Sequence, residues 1–353
     1  MYSNRISLYK DLEKEFDSKV IVYVTSDRPN MSAQIGADVI NFFIEHLDII
    51  GNTNRISLYL YTRGGNTAAA WNIINLLRMF CEELQVIVPH KAHSAGTIIS
   101  LGANEIVMTK QATLSPIDPS VNTPLNPAIP GNINTFPVSV EAVKGYLQFA
   151  KNELEIHDDA SLGRIYEKLT EYVHPLVLGQ TYRTRAQIQM LASKLLINQV
   201  TDNDDIKKIT DFLCSESGGH DYTINRREAE KDLKLKIRKP SENQYKIIKA
   251  IYDDISDELQ LGETFDPAKI NGEYAVRRAL LESIEGGSDF YFTEGRISHL
   301  KIQNPNSEFN EALQNEIIFE GWRHDNHFIN ANTDEELLKG SKDDYVSTDE
   351  FQL

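Results

Sequence analysis

Cysteine is nearly absent from this 353-residue chain, which holds only Cys81 and Cys214. Two thiols build no disulfide framework, and both read as free thiols in a reducing compartment. Long apolar runs are missing too. Val20 to Val24 is typical of the longest, far short of the roughly 20 residues a membrane helix needs. The opening Met1-Tyr2-Ser3-Asn4-Arg5 lacks the apolar segment of a secretory signal, so a cytoplasmic protein without a membrane span is expected. Positive charge is scarce: 36 Lys and Arg stand against 52 Asp and Glu, a formal net charge of −16. That balance excludes general affinity for nucleic acid, which depends on neutralising phosphates. The basic run from Lys231 to Lys239 reads as a solvated edge strand. His90 and His93 lack a third ligand, so no metal site is expected. Gly340-Ser341-Lys342 lacks the upstream glycine of a phosphate-binding loop, and no cofactor is called for.

What is present is ordinary in bulk and specific in detail. An apolar fraction of 41% and a charged fraction of 25% suit a globular protein with one large core and room for a second domain. Val20–Val24, Ile56–Tyr61, Val86–Val88 and Ile106–Met108 read as strands. They alternate with helical patterns over Ser32–Ile50, Asn66–Phe80 and Thr97–Ala103. A β-α-β-α-β-α-β order predicts a parallel sheet with helices packed against it. Prolines 116, 119, 124, 127, 130 and 137 then break any regular element. A loop that long reads as a lid or binding loop. Helical patterns return over Val138–Leu154, Leu162–Tyr172, Thr184–Leu196 and Tyr245–Leu259, and Asn225 with Glu228 reads as a capped helix start. No internal repeat is visible. The expected domains are a core over residues 1–200, an accessory α/β domain over 201–331, and a disordered acidic tail over 332–353.

Chemistry concentrates at two strand-to-helix corners about thirty residues apart, Arg63-Gly64-Gly65 and Ala92-His93-Ser94-Ala95-Gly96. A serine nucleophile needs a proton acceptor and donors for the developing oxyanion. The Ala95 N–H, at the start of a helix, is one candidate donor. Gly64 and Gly65 supply another, because glycine accepts the positive φ that turns an N–H outward. The plain alternatives are that Ser94 is a helix N-cap and that the glycines form a tight turn. Adjacent placement on one sheet favours the catalytic reading.

Three segments carry a resemblance: Tyr61-Thr62-Arg63-Gly64-Gly65-Asn66, Ala92-His93-Ser94-Ala95-Gly96-Thr97 and Ser115-Pro116-Ile117-Asp118-Pro119. They resemble the Clp/crotonase superfamily, and within it the serine dehydrogenase proteinase group, related to signal-peptide peptidase A. The likeness continues through Val173 to Gly179 and His220 to Arg227, covering about residues 18 to 235. It implies an α/β fold of the Clp/crotonase type, a spiral of ββα units, here with a helical extension and a small C-terminal α/β domain. It also implies a serine peptidase acting on proteins or peptides, without metal, in homo-oligomers. Ser94 would be the nucleophile, with Gly64, Gly65 and Ala95 lining the oxyanion hole.

The general base is open. Clp-type peptidases place a histidine after the nucleophile helix, and Thr113 to Asp118 has none. Relatives of signal-peptide peptidase use a lysine, which as a residue type must be desolvated to accept a proton near neutrality. Lys144 and Lys151 are candidates by that analogy. His174, before Pro175, is the alternative base, and Asp118 would orient the base or bind a substrate amine. Three rival readings remain. One is an α/β-hydrolase elbow at Ser94, with Asp118 or Asp211 and His174 or His220. Another is a crotonase-like acyl-CoA enzyme, and the third a degenerate oligomeric scaffold. The C-terminal region, with Phe290-Tyr291-Phe292, is expected to recruit a partner protein or substrate.

Overall fold

The computed structural model describes residues 1–117, 120–129, 135–216, 222–303 and 309–324. The expected acidic tail, Asp118 and His220 lie outside the described residues. The chain divides into two compact units, one of Met1–Ala112 with the residues from Ile237 onward, the other of Thr113–Lys236.

The first unit opens with helix α1 (Tyr2–Phe16), strand β1 (Lys19–Thr25), α2 (Ile40–Ile50), β2 (Thr53–Tyr61) and α3 (Thr67–Met79). It continues with β3 (Cys81–Val88), the short β4 (Lys91–Ala92), α4 (Ala95–Leu101) and β5 (Glu105–Met108). The chain passes through the second unit: β6 (Thr113–Leu114), β7 (Ser120–Val121), β8 (Val138–Ser139), α5 (Val140–Asn152), α6 (Asp159–Thr170), α7 (Pro175–Leu196), α8 (Asn203–Asp211), β9 (Ile224–Asn225) and α9 (Arg226–Lys231). It re-enters the first with β10 (Ile237–Arg238), α10 (Glu242–Glu258), β11 (Gly272–Ser283), β12 (Gly287–Gln303) and β13 (Phe309–His324).

One sheet in the order β10-β5-β3-β2-β1-β11-β12-β13 organises the first unit. Strands β1, β2, β3, β5 and β10 pair in parallel, with Val24 opposite Tyr61 and Leu58 opposite Val86. The apolar runs follow from this: Ile56 to Tyr61 is buried throughout, as a parallel strand covered on both faces must be. Tyr9, Leu12 and Phe16 of α1, with Ile248, Ile251 and Ile255 of α10, pack against Val20, Val22, Val24, Tyr59 and Tyr61. On the opposite side Tyr23 meets Phe43 of α2 edge-on, ring centroids 5.3 Å apart.

Two expectations change. The helix expected from Ser32 begins only at Ile40. Ile35 instead forms a bridge with Gly65, and its burial mimics helical periodicity. The C-terminal strands are not a separate domain either. β11 pairs antiparallel with β1, Ile21 opposite Ser283, so these strands extend the sheet begun by the first hundred residues. A buried ion network reinforces the join. Arg5 of α1, fully buried, is bonded to Glu282 of β11 and to Asp254 and Glu258 of α10. The expected boundary at residue 200 falls within the second unit.

That unit is helical, with small pairings of β6 with β9 and β7 with β8. Val121, Val138 and Val177 form its local core. Helix α7 starts at Pro175, a turn and more before the expected Thr184. Among the described residues, no helix is long and apolar enough to cross a membrane. Among the described residues neither Cys81 nor Cys214 forms a disulfide, and burial pushes the Cys81 thiol up to about 11.

Candidate active site

Past the end of β2, Thr62 pairs in parallel with the short β4. The Thr62 N–H donates to the Lys91 carbonyl at 3.1 Å, and the His93 N–H donates back to the Thr62 carbonyl at 3.0 Å. Because those bonds align Thr62 with Ala92, the residues just beyond, Gly64 and Ser94, are brought face to face. A Cβ built on Gly64 would stand 2.7 Å from Ser94 Cβ and 2.9 Å from the His93 carbonyl oxygen. No side chain fits there. Gly64 and Gly65 also carry φ values of 113° and 148°, which L side chains rarely adopt. Gly65 is pressed against Ile35, whose N–H donates to the Gly64 carbonyl at 2.9 Å. Gly96 is needed for space, since its Cβ would meet Thr62 Cγ2 at 2.5 Å.

Ser94 occupies the N-cap position of α4, yet its side chain makes no capping hydrogen bond. Its backbone stands at φ 51° and ψ −111°. A non-glycine residue in that conformation stores about 1–3 kcal/mol of strain. N-caps normally hold extended backbone and accept an amide proton from the first turn, as Asn66 does for Ala69 at 2.9 Å. The capping explanation therefore fails at Ser94. A sharp strand-to-helix turn that lifts a serine hydroxyl out of the backbone is the arrangement nucleophile elbows use.

The neighbouring amides differ in their commitments. The Gly64 N–H donates to Thr62 Oγ1 at 3.0 Å, and Thr62 Oγ1 is itself 2.7 Å from Thr25 Oγ1. The N–H groups of Gly65 and Ala95 enter no hydrogen bond among the described residues. Of the two glycines expected to donate, only Gly65 keeps its amide available.

Beside this corner, Lys91 Nζ pairs with Asp27 Oδ2 at 2.6 Å, and the Tyr61 hydroxyl donates to Asp27 Oδ1 at 2.9 Å. Burial raises the Asp27 carboxyl, but the Lys91 ammonium and the Tyr61 hydroxyl outweigh it and hold the group below its ordinary range. His90 stacks on Tyr252 at 5.7 Å, and burial with the Lys91 charge pushes its imidazole down.

The candidate bases belong to the second unit and have their own local roles. Lys144 Nζ lies 3.7 Å from Glu141 Oε2, one turn away on α5. Lys151 sits exposed in the last turn of α5. His174 is the N-cap of α7, its Nδ1 accepting the Leu176 N–H at 3.2 Å, which leaves Nε2 for other use. Asp211 ends α8 and accepts from Gln189 Nε2 at 3.3 Å.

Sequence reading missed a second serine–histidine–aspartate chain in the first unit. His46 Nδ1 lies 2.7 Å from Ser283 Oγ, and His46 Nε2 lies 2.8 Å from Asp289 Oδ2. Its connectivity is that of a hydrolase triad, but all three side chains are at most 1% exposed. Ser283 Oγ also accepts the Gly286 N–H at 2.8 Å. With no access for a substrate, this chain satisfies buried polar groups and ties α2 to the β11–β12 turn. Residues about 240 positions apart carry no spacing signal that would have revealed it.

Comparisons with known proteins concern mainly the first part of the chain. Residues 4–134 match the family model for the ClpP-like SDH-type serine proteinases. Two uncharacterized proteins of Methanocaldococcus jannaschii are similar. MJ0137 is 33% identical over 133 residues, which is 35% of this chain and 46% of that protein. MJ1495 is 30% identical over 125 residues, 33% of this chain and 42% of that protein. The chain thus spans under half the length of these relatives. Among solved structures, the 1510-N membrane-bound stomatin-specific protease aligns at TM-score 0.35 and 19% identity, covering 62% of this chain and 80% of that one. ClpP1 from Listeria monocytogenes aligns at TM-score 0.35 and 14% identity, covering 66% and 98%. The segment that matches this family model, residues 4–134, is the one that builds the Gly64–Ser94 corner.

Proposed function

We propose that this protein hydrolyses peptide bonds through an acyl-enzyme on Ser94. The observation that carries the reading is Ser94 itself: strained, without a capping hydrogen bond, and packed against Gly64, whose neighbour Gly65 and whose facing residue Ala95 have uncommitted amides. In the proposed reaction Ser94 Oγ attacks the carbonyl carbon, its proton passing to a base, and the carbonyl electron pair moves onto oxygen. The Gly65 and Ala95 N–H groups donate to that oxyanion. Collapse expels the amine with a proton returned by the base, and water then releases the acyl group. Each oxyanion donor contributes about 10²–10³ in rate.

His174 through Nε2, Lys144 or Lys151 supplies the base in this reading, and Asp118 orients the base or binds a substrate amine. Protein or peptide chains are the substrate class, and the family resemblance supports self-association. A cytoplasmic location and a docking role for the C-terminal strands complete the proposal.

The test is hydrolysis of an unfolded protein substrate by the full chain and by Ser94→Ala. A loss of about 10³-fold or more with retained folding is expected. Equal rates for the two proteins would refute the reading, and Ser94-independent turnover of an acyl-CoA thioester would favour the crotonase-like alternative. His174→Ala and Lys144→Ala then separate the bases: the true one reduces turnover of the folded protein by far more than the ~1 kcal/mol of stability that loss of the His174 cap costs α7.

A further inference from the structure

Thr62 is fully buried, and it touches both crests of the candidate site. Its backbone pairs with Lys91 and His93, the strand leading into Ser94. Its methyl group, Cγ2, fills the place a side chain on Gly96 would take, behind the first turn of α4. Its hydroxyl accepts the Gly64 N–H at 3.0 Å and lies 2.7 Å from Thr25 Oγ1, at the end of β1. One side chain therefore bonds the glycine corner and packs against the serine corner.

We propose that Thr62 is a positioning residue that selects which amide faces the oxyanion: its hydroxyl turns the Gly64 N–H inward, so that the Gly65 N–H is the donor left for substrate. The inference deepens the peptidase reading and rests on it. The reason is stereochemical. At φ 113° and φ 148° the two glycines have many alternative conformations available, and nothing in their own chemistry chooses one. Ile35 holds the Gly64 carbonyl, and the bond that the Gly64 N–H donates to Thr62 Oγ1, at a buried strand end, fixes the peptide before it. Thr25, itself buried, holds the Thr62 hydroxyl and restricts its rotation. Valine at position 62 keeps the volume and branching but removes the acceptor. The Gly64 N–H then loses its partner, and the Arg63–Gly64 peptide is free to turn that amide toward the substrate and displace the Gly65 donor, although Ile35 still holds the Gly64 carbonyl. A donor misplaced by about 1 Å costs on the order of 10² in rate, so the effect falls on the chemical step rather than on binding.

The experiment measures fluorophosphonate inactivation of the full chain, separating the maximal rate from the half-saturating concentration, for wild type, Thr62→Val, Thr62→Ser and Ser94→Ala. The expected result is a maximal rate lowered about 10- to 100-fold in Thr62→Val, with the half-saturating concentration within about twofold. Thr62→Ser, which restores the acceptor without the methyl group, stays within about threefold of wild type. A wild-type rate in Thr62→Val, or an equal loss in Thr62→Ser, overturns the proposal. Labelling that persists in Ser94→Ala overturns the peptidase reading instead. Should Thr62→Val fail to fold, hydrogen exchange resolved to single amides in the wild-type protein decides the matter. A protected Gly64 amide beside a fast Gly65 amide supports the latch, and the reverse order refutes it.

Discussion

Two serines in the first unit present opposite arrangements. Ser283 has the complete connectivity of a triad, with His46 and Asp289 in line behind it, but it is buried in a relaxed strand end. Ser94 sits partly exposed on a strained corner beside two uncommitted amides. Hydrogen-bond connectivity alone does not make a site. Access, backbone strain and oxyanion donors distinguish the two, because a buried polar network stabilises only when fully satisfied, whereas a reactive centre must hold groups in readiness for a substrate. His46 shows the satisfied case. Its Nδ1 meets Ser283 Oγ, which also accepts the Gly286 N–H, and its Nε2 meets Asp289 Oδ2.

The largest expected contrast is in rate. Gly64→Ala drives a methyl group to within 2.7 Å of Ser94 Cβ, and turnover of an unfolded protein substrate should fall by about 10² or more. Ser283→Ala should leave turnover by the folded protein unchanged. A comparable loss in Ser283→Ala would break the comparison.

Stability should sort the other way. Truncating Ser283 leaves His46 Nδ1 and the Gly286 N–H without their partner and should cost about 1–3 kcal/mol in urea unfolding. Ser94→Gly should be neutral to stabilising by about 1 kcal/mol, because it releases a positive φ at the expense of chain entropy. Destabilisation of Ser94→Gly by several kcal/mol would mean that Ser94 is structural.

A smaller effect concerns the pair beside the corner. The Asp27 carboxyl is held below its ordinary range in the folded protein, so its contribution to stability is present above the unfolded-state value of about 3.9. That contribution is lost as pH falls through the lower folded-state value. Asp27→Asn should thus lower the melting temperature at pH 7 by a few degrees at most, since the site is partly solvated. The gap from wild type should close on acidification below about pH 4. A gap that widens in acid would show that Lys91 is not the partner that matters.

The sheet and the Ser94 corner were legible because parallel strands buried on both faces read as apolar runs, and because glycine pairs and Ser-Ala-Gly stand at their ends. Other parts were hidden for physical reasons. Helix α1 buries Arg5 in an ion network beside Tyr9, Leu12 and Phe16, so a charge interrupts its inner face and weakens the apolar periodicity. Strands β11 and β12 bury Glu282, Ser283 and Asp289, which read as loop residues until their distant partners are known. Ile35 is buried without being helical, which misplaced the start of α2. The capping role of His174 depends on a ring nitrogen meeting the Leu176 amide. Thr62 carried no motif of its own and became visible only through its contacts with Gly64 and Gly96.

The most direct measurement is mass-spectrometric mapping of the residue modified when the full chain reacts with a fluorophosphonate. The account predicts a single stoichiometric adduct on Ser94, lost on prior denaturation, and none on Ser283. An adduct on Ser283, or an unmodified Ser94 in folded protein at saturating reagent, would contradict it.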